Sequence, residues 1–251
     1  MASTTKHIDT IFFDLGGTFR IVNELPEYYQ AARRKIAQLV GTDIDPEEFY
    51  DLIMQRYDIY REWVFATNRE AYEDYLWIRW LTPEYDHERL REHASELTYL
   101  LRQAKGRREV VEGGVELIKE LRDRGYKLGI ISNLIGVKEI DEWLDADDLR
   151  QYFCAVQQSS ISGIRKPDPI IFWAAAGQAS SIPANCAYIG DNFKTDVGGA
   201  RSAGYGAVII CATAEEVKEK GIPAGYEPDI VINDIKQLLD VFPKAPVFEI
   251  A

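Results

Sequence analysis

Three observations predict an α/β fold: a parallel sheet covered by helices on both faces, with a long helical insertion after its first strand. Short apolar runs end abruptly in polar residues, helical patterns alternate with such runs through the second half of the chain, and strand signals are missing between about residues 26 and 105. A parallel sheet whose crossovers are helices produces this alternation.

The elements follow in order. Ile8 to Phe13 reads as a buried strand, because an apolar run stops at Asp14 and the turn pair Gly16-Gly17. From Pro26 to Lys105 the period is helical: Phe49, Ile53, Tyr57, Tyr60 and Val64 recur at steps of four and three, and Asp45-Pro46-Glu47-Glu48 is a helix start. After Gly113-Gly114, a helix over Val115 to Arg124 closes at Gly125, and a strand over Lys127 to Ile131 leads into Ser132-Asn133. Further strands are expected at Cys154 to Gln157, Cys186 to Ile189, Ala207 to Cys211 and Ile230 to Ile232. Helices near Pro169 to Ala179, Lys194 to Ala203 and Asp234 to Val241 separate them, and Tyr226 to Pro228 reads as a turn before the last strand. A closed eight-stranded barrel needs strands inside the helical stretch, where none is visible. The joints fall near Arg20 to Pro26 and Gly106 to Gly113, dividing the chain into a core of 1–22 and 108–251 and a helical unit of 23–107.

Composition narrows the function classes. A chain of 251 residues with 46% hydrophobic content buries a core without staples. Its 29 basic residues against 41 acidic ones give a formal charge of −12, a field that opposes nucleic acid and anionic membrane as partners. The start, MASTTKHIDTIFF, has no long apolar run, so a soluble, cytoplasmic protein is expected. Cys154, Cys186 and Cys211 stand singly in apolar stretches and read as buried thiols. The run Lys105, Arg107, Arg108 reads as a solvated junction. His7, His87 and His93 show no ligand pairing. The glycines from Gly198 to Gly206 lack the spacing and position of a dinucleotide fingerprint.

Ligands of an open parallel sheet bind beyond the carboxyl ends of its strands. Four polar groups stand there: Asp14, Ser132-Asn133, Lys166 in GIRKPDP, and Gly190-Asp191-Asn192 with Asp196. Each alone is explained by capping of the next helix. Together they suit phosphoryl transfer: two carboxylates hold a hard Mg²⁺ ion, a hydroxyl binds a phosphoryl oxygen, a lysine neutralises developing charge, and Asp14 attacks phosphorus.

In this order, FFDLGGT, ISN, RKPDP and GDNFKTD resemble the four signature segments of the haloacid dehalogenase superfamily, over nearly the whole chain. The resemblance implies a Rossmann-like core with the first strand central and a helical cap of the first subclass. It implies Asp14 as nucleophile, Ser132, Asn133 and Lys166 around the phosphoryl group, and Asp14, the Gly16 carbonyl and Asp191 around Mg²⁺. Thr18, Asn192 and Asp196 stand behind these, with Asp196 orienting Lys166 or a metal-bound water. A small phosphorylated metabolite is the implied substrate.

The sequence departs from this pattern at Gly16. Phosphatases of the superfamily carry there a second aspartate that protonates the leaving group, and loss of a general acid costs roughly 10²- to 10⁴-fold in rate. The expectation is therefore slow turnover or a bias toward activated phosphates, unless Glu24, Glu62, His87 or a tyrosine of the cap supplies the proton. Competing readings are a binding or scaffold protein that keeps the fold, a haloacid dehalogenase, and a Schiff-base phosphonate hydrolase, for which Lys35 is nearly the only lysine of the cap. Cap aromatics, from Tyr28 and Tyr29 through Tyr50, Trp63, Phe65, Tyr72, Tyr75, Trp77 and Trp80, are expected to be mostly core. An exposed remainder would shape a pocket or join a homodimer.

Overall fold

The computed structural model describes residues 7–245. The readings on the first six residues, and the outer limits of the core at 1 and 251, lie outside the described residues.

Strand β1 (Thr10–Phe13) is buried throughout. The chain then turns into β2 (Arg20–Asn23) and enters helices α1 (Pro26–Val40), α2 (Pro46–Thr67), a short α3 (Glu73–Tyr75) continuing as a π turn over Leu76–Leu81, and α4 (His87–Gln103). It returns through β3 (Arg107–Val110), antiparallel to β2, with Arg20 opposite Val110 and Asn23 opposite Arg107. The expected joints are therefore a two-stranded ribbon. Its strands are only four residues long, and each begins with an arginine and holds no apolar alternation, so no apolar period marked them.

The second half alternates strands and helices, with α6 and α7 added to the helices expected: α5 (Gly114–Asp123), β4 (Lys127–Ser132), α6 (Glu139–Ala146), β5 (Phe153–Gln158), α7 (Ser159–Ser162), α8 (Pro169–Gln178) and β6 (Cys186–Gly190). After β6 come a π turn over Phe193–Val197, α9 (Gly198–Ser202), β7 (Ala207–Cys211), α10 (Ala214–Lys220), β8 (Ile230–Ile232) and α11 (Leu238–Val241). The six-stranded sheet is parallel in the order β5-β4-β1-β6-β7-β8. The fold class is thus an α/β doubly wound sheet with an inserted helical unit, and β1 sits centrally where the strand order reverses.

Alternate strand residues face opposite layers, as the pleat requires. Ile11, Phe13, Ile130, Ile189 and Ile209 pack against Leu117, Ile118 and Leu121 of α5 and against Ile140 and Leu144 of α6. Phe12, Ile131, Tyr188, Val208 and Ile210 pack against Ile171, Phe172 and Ala175 of α8. The inserted helices share a separate core of Ile36, Phe49, Ile53, Tyr60, Val64, Trp77, Leu90 and Leu97, which core residue Ile135 joins. Asp45 caps α2, accepting from the Glu47 and Glu48 amides at 2.9 and 3.4 Å. Tyr28, Phe65, Tyr72 and Tyr75 are the expected aromatics that stand exposed.

Two expectations need correction. Cys186 is buried, but Cys154, on the edge strand β5, is exposed, and Cys211, the last residue of β7, is only half-buried. In the basic run, Arg107 is solvated, whereas Arg108 is nine-tenths buried and donates to the Arg102 carbonyl at 2.6 Å. Consecutive residues of the ribbon point to opposite sides. Among the described residues no helix is long and apolar enough to cross a membrane.

Candidate active site

Three neighbouring strands, β4, β1 and β6, end in Ser132, Asp14 and Gly190-Asp191. Their parallel registers, with Phe13 opposite both Ile130 and Ile189, bring these ends to one edge of the sheet. The Asp14 amide donates to the Ile189 carbonyl at 2.8 Å, which fixes the carboxylate beside β6.

Lys166 reaches this edge from the segment that precedes α8. Its Nζ lies 2.9 Å from Asp14 Oδ1 and 2.8 Å from Asp196 Oδ1, and it donates to the Tyr188 hydroxyl at 2.6 Å. Burial works against the ammonium, but Asp14 and Asp196 outweigh it and hold Lys166 above its ordinary range. The Tyr188 hydroxyl in turn donates to the Ile131 carbonyl at 3.1 Å. Sequence reasoning missed Tyr188. The available signal was a phenol inside an otherwise apolar strand, two residues before Gly190, since a buried hydroxyl needs a polar partner.

Asp196 uses both oxygens within the protein. Oδ1 meets Lys166, and Oδ2 accepts from the Asp191 and Asn192 amides at 3.1 and 3.0 Å. The wider π turn over Phe193–Val197 folds this carboxylate back onto the end of β6. Asn192 starts that turn by accepting from the Lys194 and Thr195 amides, both at 3.0 Å. Asn133 clamps the Lys166 main chain instead of pointing a free amide at the site: Oδ1 accepts from the Lys166 amide at 2.9 Å, and Nδ2 donates to its carbonyl at 3.1 Å. Ser132 and Thr18 are buried, and the Thr18 hydroxyl has no partner among the described residues.

Carboxylate oxygens of Asp14, Asp191 and Asp196 all lie within 4.8 Å of one another. Burial, partly opposed by Lys166, raises the Asp14 carboxyl above its usual value. Burial together with Asp14 and Asp196 pushes Asp191 up to about 7. Three acids around one lysine leave excess negative charge in a partly dry site, and hard oxygen donors at this spacing suit a small divalent cation. With Asp196 engaged elsewhere, Asp14 and Asp191 are the side chains free to hold it.

Two glycines permit this close approach. A Cβ on Gly17, whose φ is +80°, would collide with the Asp191 carboxylate, and one on Gly190 with the Asp196 carboxylate. Gly16 differs, since a Cβ there meets nothing within 4 Å. A cavity of about 230 Å³ opens beside Asp191 and Gly17 and is lined further by Phe193, Thr213 and Asn233. Glu24, Glu62 and His87, the candidate proton donors, are exposed, and His87 Nε2 lies 3.0 Å from the Pro83 carbonyl. The carboxylate that the helical unit does bury against the core is Glu70, which is bonded to Tyr60, Arg165 and, at 2.8 Å, Ser159. It escaped sequence reasoning because no period distinguishes a buried acid from a solvated one.

The family model for haloacid dehalogenase-like hydrolases matches residues 8–204. Haloacid dehalogenase-like hydrolase domain-containing protein 3 of Bos taurus is 35% identical over 102 residues, which are 41% of this chain and 40% of that protein; the match thus spans well under half of the relative's length. A glyceraldehyde 3-phosphate phosphatase of Pyrococcus furiosus is 27% identical over 94% of this chain and 93% of its own. In fold, the chain resembles a 2-haloacid dehalogenase of Pseudomonas syringae with a TM-score of 0.65, at 21% identity and over 94% of this chain and 98% of that one.

Proposed function

The chain belongs to the haloacid dehalogenase-like hydrolases, and we propose that it is a Mg²⁺-dependent phosphatase that acts on a small phosphorylated metabolite through an aspartyl-phosphate at Asp14. The observation that carries this reading is the Lys166 ammonium held between Asp14 and Asp196 with a third carboxylate, Asp191, alongside. Phosphatases among its relatives support the substrate class.

Asp14 and Asp191, with the Gly16 carbonyl, would hold the ion, which when bound supplies charge stabilisation to the phosphoryl group. Lys166 engages Oδ1 of Asp14, which leaves Oδ2 as the attacking oxygen. As the bond from Oδ2 to phosphorus forms, the bond to the leaving oxygen breaks, and Lys166 and the Ser132 hydroxyl stabilise the charge on the transferring oxygens. Water then cleaves the acyl phosphate, releasing phosphate and restoring the Asp14 carboxylate. Asn133, Asp196 and Tyr188 act earlier, by fixing where Lys166 stands.

Gly16 decides the leaving group. An alkoxide needs a proton that glycine does not offer, whereas the carboxylate of an acyl phosphate leaves as a stable anion. We infer a preference for acyl phosphates or anhydrides over alkyl monoesters. Steady-state phosphate release from acetyl phosphate and from glycerol 3-phosphate, with Mg²⁺, tests this. A higher kcat/KM for acetyl phosphate is expected, and equal efficiency on both would count against it.

A further inference from the structure

A pocket under the helical unit is not used by the chemistry at Asp14. Its volume is about 240 Å³, and its walls include Tyr57, Tyr60 and Arg61 of α2, Arg102 and Lys105 at the end of α4, and Arg165 of the core. Four of its lining side chains are basic and none is acidic, in a chain that carries an excess of acid.

The four cations are held in two ways. Arg102 and Arg165 are anchored from behind by buried acids: Arg102 Nε donates to Glu139 at 2.7 Å, and Arg165 pairs with the fully buried Glu70. Arg61 and Lys105 lack such anchors. Arg61 lies 4.0 Å from the exposed Asp58, while the Lys105 ammonium stands 4.6 Å above the Tyr57 ring and has no ion pair among the described residues. Burial and the neighbouring Arg102, Arg108 and Arg61 push Lys105 down to about 8. Positive charge gathered in a partly desolvated pocket is relieved by a compact anion, and Arg and Lys hydrogen bonds to carboxylate or phosphate are the strong ones.

The pocket is tied to the reaction site through one segment. Arg165 and Lys166 are consecutive, with Cα atoms about 3.8 Å apart. Arg165 lines the pocket while Lys166 touches Asp14. The Asn133 clamp on the Lys166 main chain therefore holds the segment that carries both.

We propose that this pocket binds a second acidic group, a carboxylate or phosphate, of a substrate whose phosphoryl group lies at Asp14, which makes the substrate class a phosphorylated acid; this rests on the phosphatase reading above. Kinetics on two esters that differ in one distal carboxylate, 3-phosphoglycerate and glycerol 3-phosphate, test it. The ratio of their kcat/KM values should favour the acid by about tenfold or more in the wild type. It should collapse toward one in Lys105→Met and in Arg61→Gln. Arg107→Gln removes the same charge from the exposed ribbon and should keep the ratio. A wild-type ratio near one, or a ratio that survives both pocket variants, overturns the proposal. Calorimetric titration with succinate, which carries no phosphoryl group, separates the two readings. Succinate binding that is lost in Lys105→Met, without phosphate release from either ester or from acetyl phosphate, would sink the phosphatase reading and leave the anion pocket standing. Absence of succinate binding to the wild type would remove the pocket.

Discussion

The end of the sheet and the underside of the helical unit hold opposite charge excesses by different means. At the sheet, three carboxylates gather about Lys166, and main chain sets their places: strand registers, the π turn that folds Asp196 back, and glycines at 17 and 190 that let acids approach. Under the helices, four basic side chains meet at one pocket, placed by side-chain packing and by the buried acids Glu70 and Glu139. In charge, the first region would suit a cation and the second an anion. Chemistry fixed by backbone is hard to move, whereas recognition carried by long side chains on helices changes with single substitutions.

The contrast breaks most decisively at the nucleophile. Asp14→Asn should lower phosphate release by at least about 10³-fold while circular dichroism stays that of the folded protein; a variant that keeps its rate would remove Asp14 from the chemistry. Gly16→Asp should raise hydrolysis of alkyl monoesters by roughly 10²- to 10⁴-fold, since the position has room for a side chain and lacks only the acid. No gain on glycerol 3-phosphate would mean that another group already donates the proton.

On the helical side, Glu70→Ala leaves Arg165 without its buried partner and should cost about 3 to 5 kcal/mol in urea denaturation. A cost below about 1 kcal/mol would show that this contact does not anchor the pocket. The smallest effect is in pH. Asp191 stands well above its ordinary range in the ion-free fold, so its contribution to stability declines as pH rises from about 4 toward 7. Mg²⁺ requires the charged carboxylate, so the rise in Tm that Mg²⁺ produces should be larger at about pH 8 than at about pH 6. The same increment at both would mean that Asp191 is already charged at about pH 6, and an increment unchanged by Asp191→Asn would exclude it as a ligand.

Legibility in the sequence followed the same division. Asp14, Ser132, Lys166 and Asp191 were visible because each ends an apolar run or stands in a turn, and a parallel sheet sends such positions to one edge. The role of Asn133 was not, because whether its amide faces a ligand or clamps Lys166 depends on a main chain 33 residues away. The ribbon and α6 were missed, the one for want of an apolar period and the other because its run from Glu139 to Ala146 is short and acidic. Glu70 and Arg165 were not legible as partners, since 95 residues separate them and surface acids and bases look alike in sequence.

The central claim is that Asp14 forms a bond to phosphorus. Brief reaction with labelled acetyl phosphate and Mg²⁺, followed by acid quench and peptide mass spectrometry, reads this directly. The account predicts a hydroxylamine-sensitive phosphate on the peptide that carries Asp14, absent from Asp14→Asn. Turnover that proceeds without this adduct and persists in Asp14→Asn would contradict it.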